Sequence, residues 1–170
     1  LPPDAIVRIV LTAIYTAQRE IVLTMPYFVP DEILLTALIT AAGRGVDVTL
    51  VVPEKIDSLL VRYAGRAFQA DLHESGVRVL HYQQGLLHTK SITIDRQISL
   101  FGSLNLDPRS LYLNFEITLA VYDGDFTGRL RELQQSYIDQ SSQLDLESWR
   151  RRSPLSRLLE NAARLMSPLI

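Results

Sequence analysis

Three short apolar runs, IVLTM, VDVTLVVP and VRVLHY, each follow a stretch of apolar residues at helical spacing, and this alternation limits the fold more than any other feature. Ile6, Ile9, Val10, Ala13, Ile14 and Ala17 recur at intervals of three and four, which makes one helical face ahead of the first run. PYFVPD then reads as a loop, with Asp31 placed to cap a helix from Glu32 to about Ala42 that stops at GRG. Pro53 limits the second run, because proline cannot donate to a ladder. Asp57 and Ser58 are placed to cap a third helix that runs to about Glu74 and ends at Gly76. Strands separated by helices pair in parallel, so an α/β layer structure is expected.

The pattern changes after Gly85. HTKSITI and ISLFGSL are strand-like runs separated by DRQ, a hairpin spacing, and NFEITLAVYD reads as a further strand, so the sheet is predicted to be mixed. A helical pattern with Leu130, Leu133, Tyr137 and Ile138 returns from Asp125 to about Gln140, and another helix begins near Ser153.

At 170 residues the chain suits one domain with a self-sufficient core. The absence of cysteine rules out disulfides, thiolate zinc sites and a cysteine nucleophile. His73, His81 and His88 share no close metal-ligand spacing, and no metal or other cofactor is expected. The longest apolar stretches fall well short of the roughly 20 residues that cross a bilayer. The opening LPPDAIVRIV, with neither initiator methionine nor charged leader, reads as an internal piece of a longer protein. Five arginines against Glu160 give residues 150–170 a charge of +4, which leaves −6 of the total −2 on the rest. That body repels phosphate polymers, so nucleic acid is not an expected partner.

HTKSITID presents the chemistry. Residues two apart in a strand point the same way, so His88 and Lys90 share a face, in a chain whose other lysine is Lys55. The same parity pairs Ser103 with Asn105 and Asn114 with Glu116, so three neighbouring strands are expected to aim six polar side chains at one spot. An imidazole, a permanent cation, amide and hydroxyl donors and a carboxylate suit a phosphodiester. Lys90, Ser103 and Asn105 would hold its oxygens, while His88 attacks phosphorus or protonates a leaving oxygen, with Glu116 holding its other nitrogen.

His88, Lys90, Asp95, Gly102, Ser103 and Asn105 together meet HxKxxxxDxxxxxxGSxN without a gap, which resembles the signature of the phospholipase D superfamily. NLDPRSLYLNFEITL, MPYFVPDEIL, PEKIDS and GLLHTKS extend the likeness, over almost the whole chain, to the C-terminal half of bacterial cardiolipin synthases. The resemblance implies a phospholipase D-like domain over 1–148, with a mixed β-sheet flanked by helices on both faces. It implies that His88 forms a phosphohistidine or serves as general acid, that Lys90 and Asn105 bind phosphate, and that Glu116 orients the imidazole. It also places Asp95 with the catalytic residues, although strand parity puts Asp95 off the His88 face at a hairpin turn, where a structural role is expected. The implied reaction is transfer between two phosphatidylglycerol molecules, giving cardiolipin and glycerol, at a bacterial inner membrane.

The superfamily's site needs two such motifs and this chain has one, so a missing half or a second copy must supply the other. Alone, the chain should be inactive. A homodimeric nuclease of the same superfamily and a non-catalytic lipid-docking module are the alternatives. Tyr27 and Phe28 are candidates to line an acyl or glycerol pocket or to cover the end of the core, Asp57 and Ser58 to reach a head group, and Arg109 to meet phosphate or a salt-bridge partner in its loop. In 149–170 an apolar stripe from Leu155 to Leu169 between arginines fits a basic amphipathic helix lying on anionic lipid, closing one side of the core, or docking on the absent half.

Overall fold

The computed structural model describes residues 4–56 and 59–143, with Leu59 and Leu60 described by backbone alone. The capping and head-group readings of Asp57 and Ser58 and the C-terminal helix of 149–170 lie outside the described residues. The elements run α1 (Ala5–Thr16), β1 (Glu20–Thr24), α2 (Glu32–Gly43), β2 (Asp47–Pro53), α3 (Leu59–Glu74) and β3 (Arg78–Tyr82). There follow β4 (Ser91–Ile94), β5 (Ile98–Gly102), α4 (Pro108–Tyr112), β6 (Thr118–Val121), α5 (Gly124–Asp139) and β7 (Ser141–Gln143). Asp31 caps α2 as its position demands, its carboxylate accepting from the Leu34 amide at 2.8 Å.

The described strands form one seven-stranded mixed sheet in the order β6-β5-β4-β1-β2-β3-β7. β1, β2 and β3 are parallel, as the helix-strand alternation predicts. β4 then lies antiparallel to β1 on its other side, and β5 and β6 extend that edge as antiparallel neighbours. The short β7 closes the far edge against β3, and neither it nor the single-turn α4 is foreshadowed by apolar periodicity.

Directly opposed residues in a ladder share a face. Ile21 and Leu23 stand opposite Ile94 and Ile92, and all four join the main core with residues of α1, α2 and α3. Val22 and Thr24 stand opposite Thr93 and Ser91 on the other face, beneath α5. Helices therefore cover both faces, by different means.

The helix predicted from Asp125 to about Gln140 is α5, but its docking face is not the row of leucines that marks it in the sequence. The helix buries Thr127, Arg131 and Gln134, while Leu133 is 44% exposed. The strand face below is itself polar: Thr93 donates to Gln134 Oε1 at 2.6 Å, and Gln134 Nε2 donates to Val22 O and Ser91 Oγ, both at 3.1 Å. Stranding one such buried group costs about 1–3 kcal/mol, so matching polar groups outweighs burying a leucine there. Tyr137 and Ile138 do pack inward, against a small cluster of Val51, Leu80 and Leu87.

Candidate active site

The antiparallel reversal of β4 assembles the site. Ser91 opposes Thr24, so the segment 83–90 crosses the C-terminal end of the parallel strands and delivers His88 and Lys90 beside the loop that leaves β1. β5 returns to the same edge at Gly102, where β6 begins opposite it at Thr118. Ligands of open α/β sheets bind at this edge. The β1 and β5 loops are also joined directly, since the Val29 amide donates to Leu106 O at 3.0 Å.

His88 and Lys90 precede the β4 ladder instead of lying within it, but the spacing of two still brings them together. Lys90 Nζ donates to His88 Nδ1 and to the His88 carbonyl oxygen, each at 3.1 Å. An ammonium has no acceptor, so Nδ1 accepts and the proton of a neutral ring sits on Nε2. The Tyr27 ring meets the imidazole edge-on at 6.1 Å between centroids. Burial pushes the Lys90 ammonium below its usual range, opposed by the nearby Glu116 and Asp107 carboxylates.

Gly102 is required for space. A Cβ there would sit 2.0 Å from the carbonyl oxygen of Ile117. This close approach lets the Ser103 amide donate to Ile117 O at 2.9 Å and lets Ser103 Oγ accept the Ile117 amide at 3.0 Å. Ser103 Oγ also donates to Glu116, whose other oxygen accepts from Asn114 Nδ2 at 3.4 Å.

The expected contact of Glu116 with His88 is corrected by this arrangement. Glu116 sits two residues ahead of β6, so the β5–β6 approach hands its carboxylate to Ser103, and it acts on the imidazole's surroundings through the charge that Lys90 feels. Asn105 Nδ2 reaches Ser110 Oγ at 3.4 Å, and Ser110 is fixed by Asp107, which accepts its amide at 2.8 Å as the cap of α4. Burial raises the Asp107 carboxyl, which the hydrogen bonds from Ser110 and the Arg109 amide counter and Glu116 reinforces.

Asp95 is not brought to this cluster. Five residues of extended chain, about 16 Å, separate it from Lys90. It lies with Arg96 in a turn where both have positive φ, 51° and 58°, the geometry that suits a tight hairpin. Its carboxylate accepts the amides of Gln18 and Arg19 at 2.8 Å and of Glu20 at 2.9 Å. Burial raises its pKa, but these three donors and the Arg19 charge outweigh that and hold the carboxyl below its usual range.

Of the ring pair after β1, Tyr27 faces His88, whereas Phe28 is 2% exposed and belongs to the core. Arg109 is exposed and forms no ion pair among the described residues, while its carbonyl oxygen accepts the Leu113 and Asn114 amides. His81 is engaged elsewhere, with Glu54 and Gln69 each 3.0 Å from a ring nitrogen, and His73 lies 3.3 Å from the Val77 carbonyl oxygen.

An imidazole, an ammonium, an amide and a hydroxyl-bound carboxylate thus share one sheet edge. Residues 10–138 match the family model described as the phospholipase D-like domain of cardiolipin synthase. The chain belongs to this phospholipase D-like family. Two relatives called cardiolipin synthase A make the likeness specific: that of Proteus mirabilis is 48% identical over 99% of this chain and 35% of its own length, and one from Buchnera aphidicola is 49% identical over 94% and 33%. The chain thus spans about a third of the length of these curated relatives. Among solved structures, the phospholipase D family member Nuc of Salmonella typhimurium superposes with a TM-score of 0.76 at 23% identity, covering 84% of this chain and 93% of its own. The phosphatidylserine synthase of Haemophilus influenzae gives 0.71 at 20% identity, covering 97% and 45%. The phospholipase D-like fold, with its mixed sheet between helices, is the one the sequence predicts.

Proposed function

We propose that this phospholipase D-like domain supplies one half of a phosphatidyl-transfer site that makes cardiolipin from two phosphatidylglycerol molecules. What carries the reading is the contact of Lys90 with His88 at the sheet edge, beside Ser103, Asn105 and Glu116, in a chain so similar to cardiolipin synthases. Lys90 and the Asn105 amide bind the non-bridging oxygens, and Ser103 carries Glu116 beside them. A second motif, from the same full-length chain or from another copy, completes the site.

Two histidines then divide the work. One attacks phosphorus, forming a P–N bond as the P–O bond to glycerol breaks, and the other gives its proton to the departing glycerol oxygen. The second histidine next takes a proton from the hydroxyl of an incoming phosphatidylglycerol, whose oxygen attacks phosphorus and frees the first. With Nδ1 turned to Lys90 and the proton of the neutral ring on Nε2, His88 must change before either role. To donate it takes up a second proton at Nδ1, and to attack through Nε2 it moves its proton to Nδ1; each change requires Lys90 to turn from Nδ1 to the substrate phosphate. Asp95 serves this chemistry from a distance, by holding the β4–β5 hairpin to the head of β1. Because phosphatidylglycerol resides in a membrane, the domain works at a membrane surface; no helix among the described residues is long and apolar enough to cross one.

The test uses the full-length protein in phosphatidylglycerol vesicles, with cardiolipin and released glycerol measured together. His88→Ala should lower both by about 10³-fold, the scale of losing an acid–base group. Unchanged cardiolipin output would refute the reading and leave a lipid-docking module. Nucleotide release from DNA in place of cardiolipin formation would point to a nuclease.

A further inference from the structure

We propose that the cavity beside His88 is a subsite for the glycerol backbone and first acyl carbons of the lipid whose phosphate reacts there, with Lys55 as a second cation at its mouth. The inference deepens the proposed function and rests on it. The cavity holds about 290 Å³, and its apolar walls are Pro26, Tyr27, Pro53, Ile56, Leu86 and Leu87. These come from the ends of β1 and β2 and from the crossover that carries His88, so the space opens directly onto the imidazole.

Its polar lining is telling. The chain has two lysines: Lys90 holds His88, and Lys55 shares the cavity wall with His88. A compact ammonium on a flexible stem can follow a phosphoryl group as it moves, which suits a site where phosphate passes between two partners. A wholly apolar ligand would leave Lys55 without a purpose in the wall, and a wholly polar one would waste six apolar residues. An amphiphile with its anion at His88 satisfies both sides.

Size narrows the choice. Ligand cavities usually run from about 300 to 1,000 Å³, so this one takes the ester end of a lipid and leaves the rest of its chains in the membrane. Leu86, 84% exposed at the rim, is the side chain such an occupant would cover.

The experiment compares binding of dihexanoylphosphatidylglycerol and of its deacylated form, glycerophosphoglycerol, to full-length protein carrying His88→Asn to prevent turnover. The acylated ligand should bind at least about tenfold more tightly, the scale of burying two methylenes. Ile56→Trp, which fills the cavity, and Leu86→Glu, at an exposed position that spares the fold, should each erase that preference. Lys55→Gln should weaken both ligands by the same factor, about three- to tenfold, since it acts on the shared phosphate. Equal binding of the two ligands overturns the inference, as does a preference that survives both cavity substitutions or a Lys55→Gln effect confined to the acylated ligand. A failure of the unmutated protein to make cardiolipin sinks the proposed reaction instead, and leaves the binding result standing.

Discussion

Replacing Gly102 with alanine tests the close approach on which the site is built. The added methyl would lie 2.0 Å from the Ile117 carbonyl oxygen and 3.0 Å from its carbon, both backbone atoms that cannot rotate aside. Carbon contacts are at their best near 3.5–4.0 Å, so β6 must move off β5 by more than about 1 Å. That movement pulls the Ser103 amide from Ile117 O and the Ile117 amide from Ser103 Oγ, bonds of 2.9 and 3.0 Å. Two hydrogen bonds at about 1 kcal/mol each, with about 1–2 kcal/mol of overpacking, give a loss of roughly 3–4 kcal/mol. For a chain of this size that lowers the melting temperature by roughly 6–16 °C, readable by calorimetry and by urea unfolding. Because Ser103 carries Glu116, turnover of the full-length protein should fall even at temperatures where the variant stays folded. A melting point within 2 °C of the parent would refute the steric argument and the β5–β6 geometry behind it.

The remaining predictions concern charge and burial. Glu116 holds the depressed Lys90 ammonium up, so Glu116→Gln should lower the Lys90 pKa further and move the alkaline limb of the pH–rate profile to lower pH; an unmoved limb would show that the two do not interact. Asp95 has its carboxyl depressed in the folded state, so its contribution is present above the unfolded value near 3.9 and fades as pH falls through the folded one. Urea midpoints for Asp95→Asn should therefore fall below the parent at pH 7 and converge with it under about pH 4, while the specific activity of the folded fraction persists; a large loss of turnover without loss of stability would return Asp95 to the chemistry. Gln134→Ala leaves Val22 O, Ser91 Oγ and Thr93 Oγ1 without their partner and should cost about 2–4 kcal/mol in chemical denaturation, whereas Leu133→Ala on the exposed side should cost under about 1.

The helix-strand alternation of the first 82 residues was readable because each element declares itself by its own period, and the caps and stops at Asp31 and Gly45 are local chemistry. Asp95 was legible in the same way, since parity alone removed it from the His88 face before its three amide partners were known. The docking face of α5 was not. Its leucines stand at helical spacing, but the polar strand face that it meets comes from β1, β4 and β5, far away in the chain. The partner of Glu116 was hidden for a related reason, because the β5–β6 approach at Gly102 decides which side chain its carboxylate reaches.

Sequence by itself determined the local grammar: where helices start and stop, which runs become strands, and that an imidazole and an ammonium two residues apart would meet. Those outcomes depend on neighbours along the chain, so the order of residues contains them. Tertiary structure alone decided that β4 reverses beside β1, that Glu116 goes to Ser103, and that Lys55 lines one cavity with His88. These are distances between segments remote in sequence, set by which strand faces pack and how closely, and no local preference encodes them.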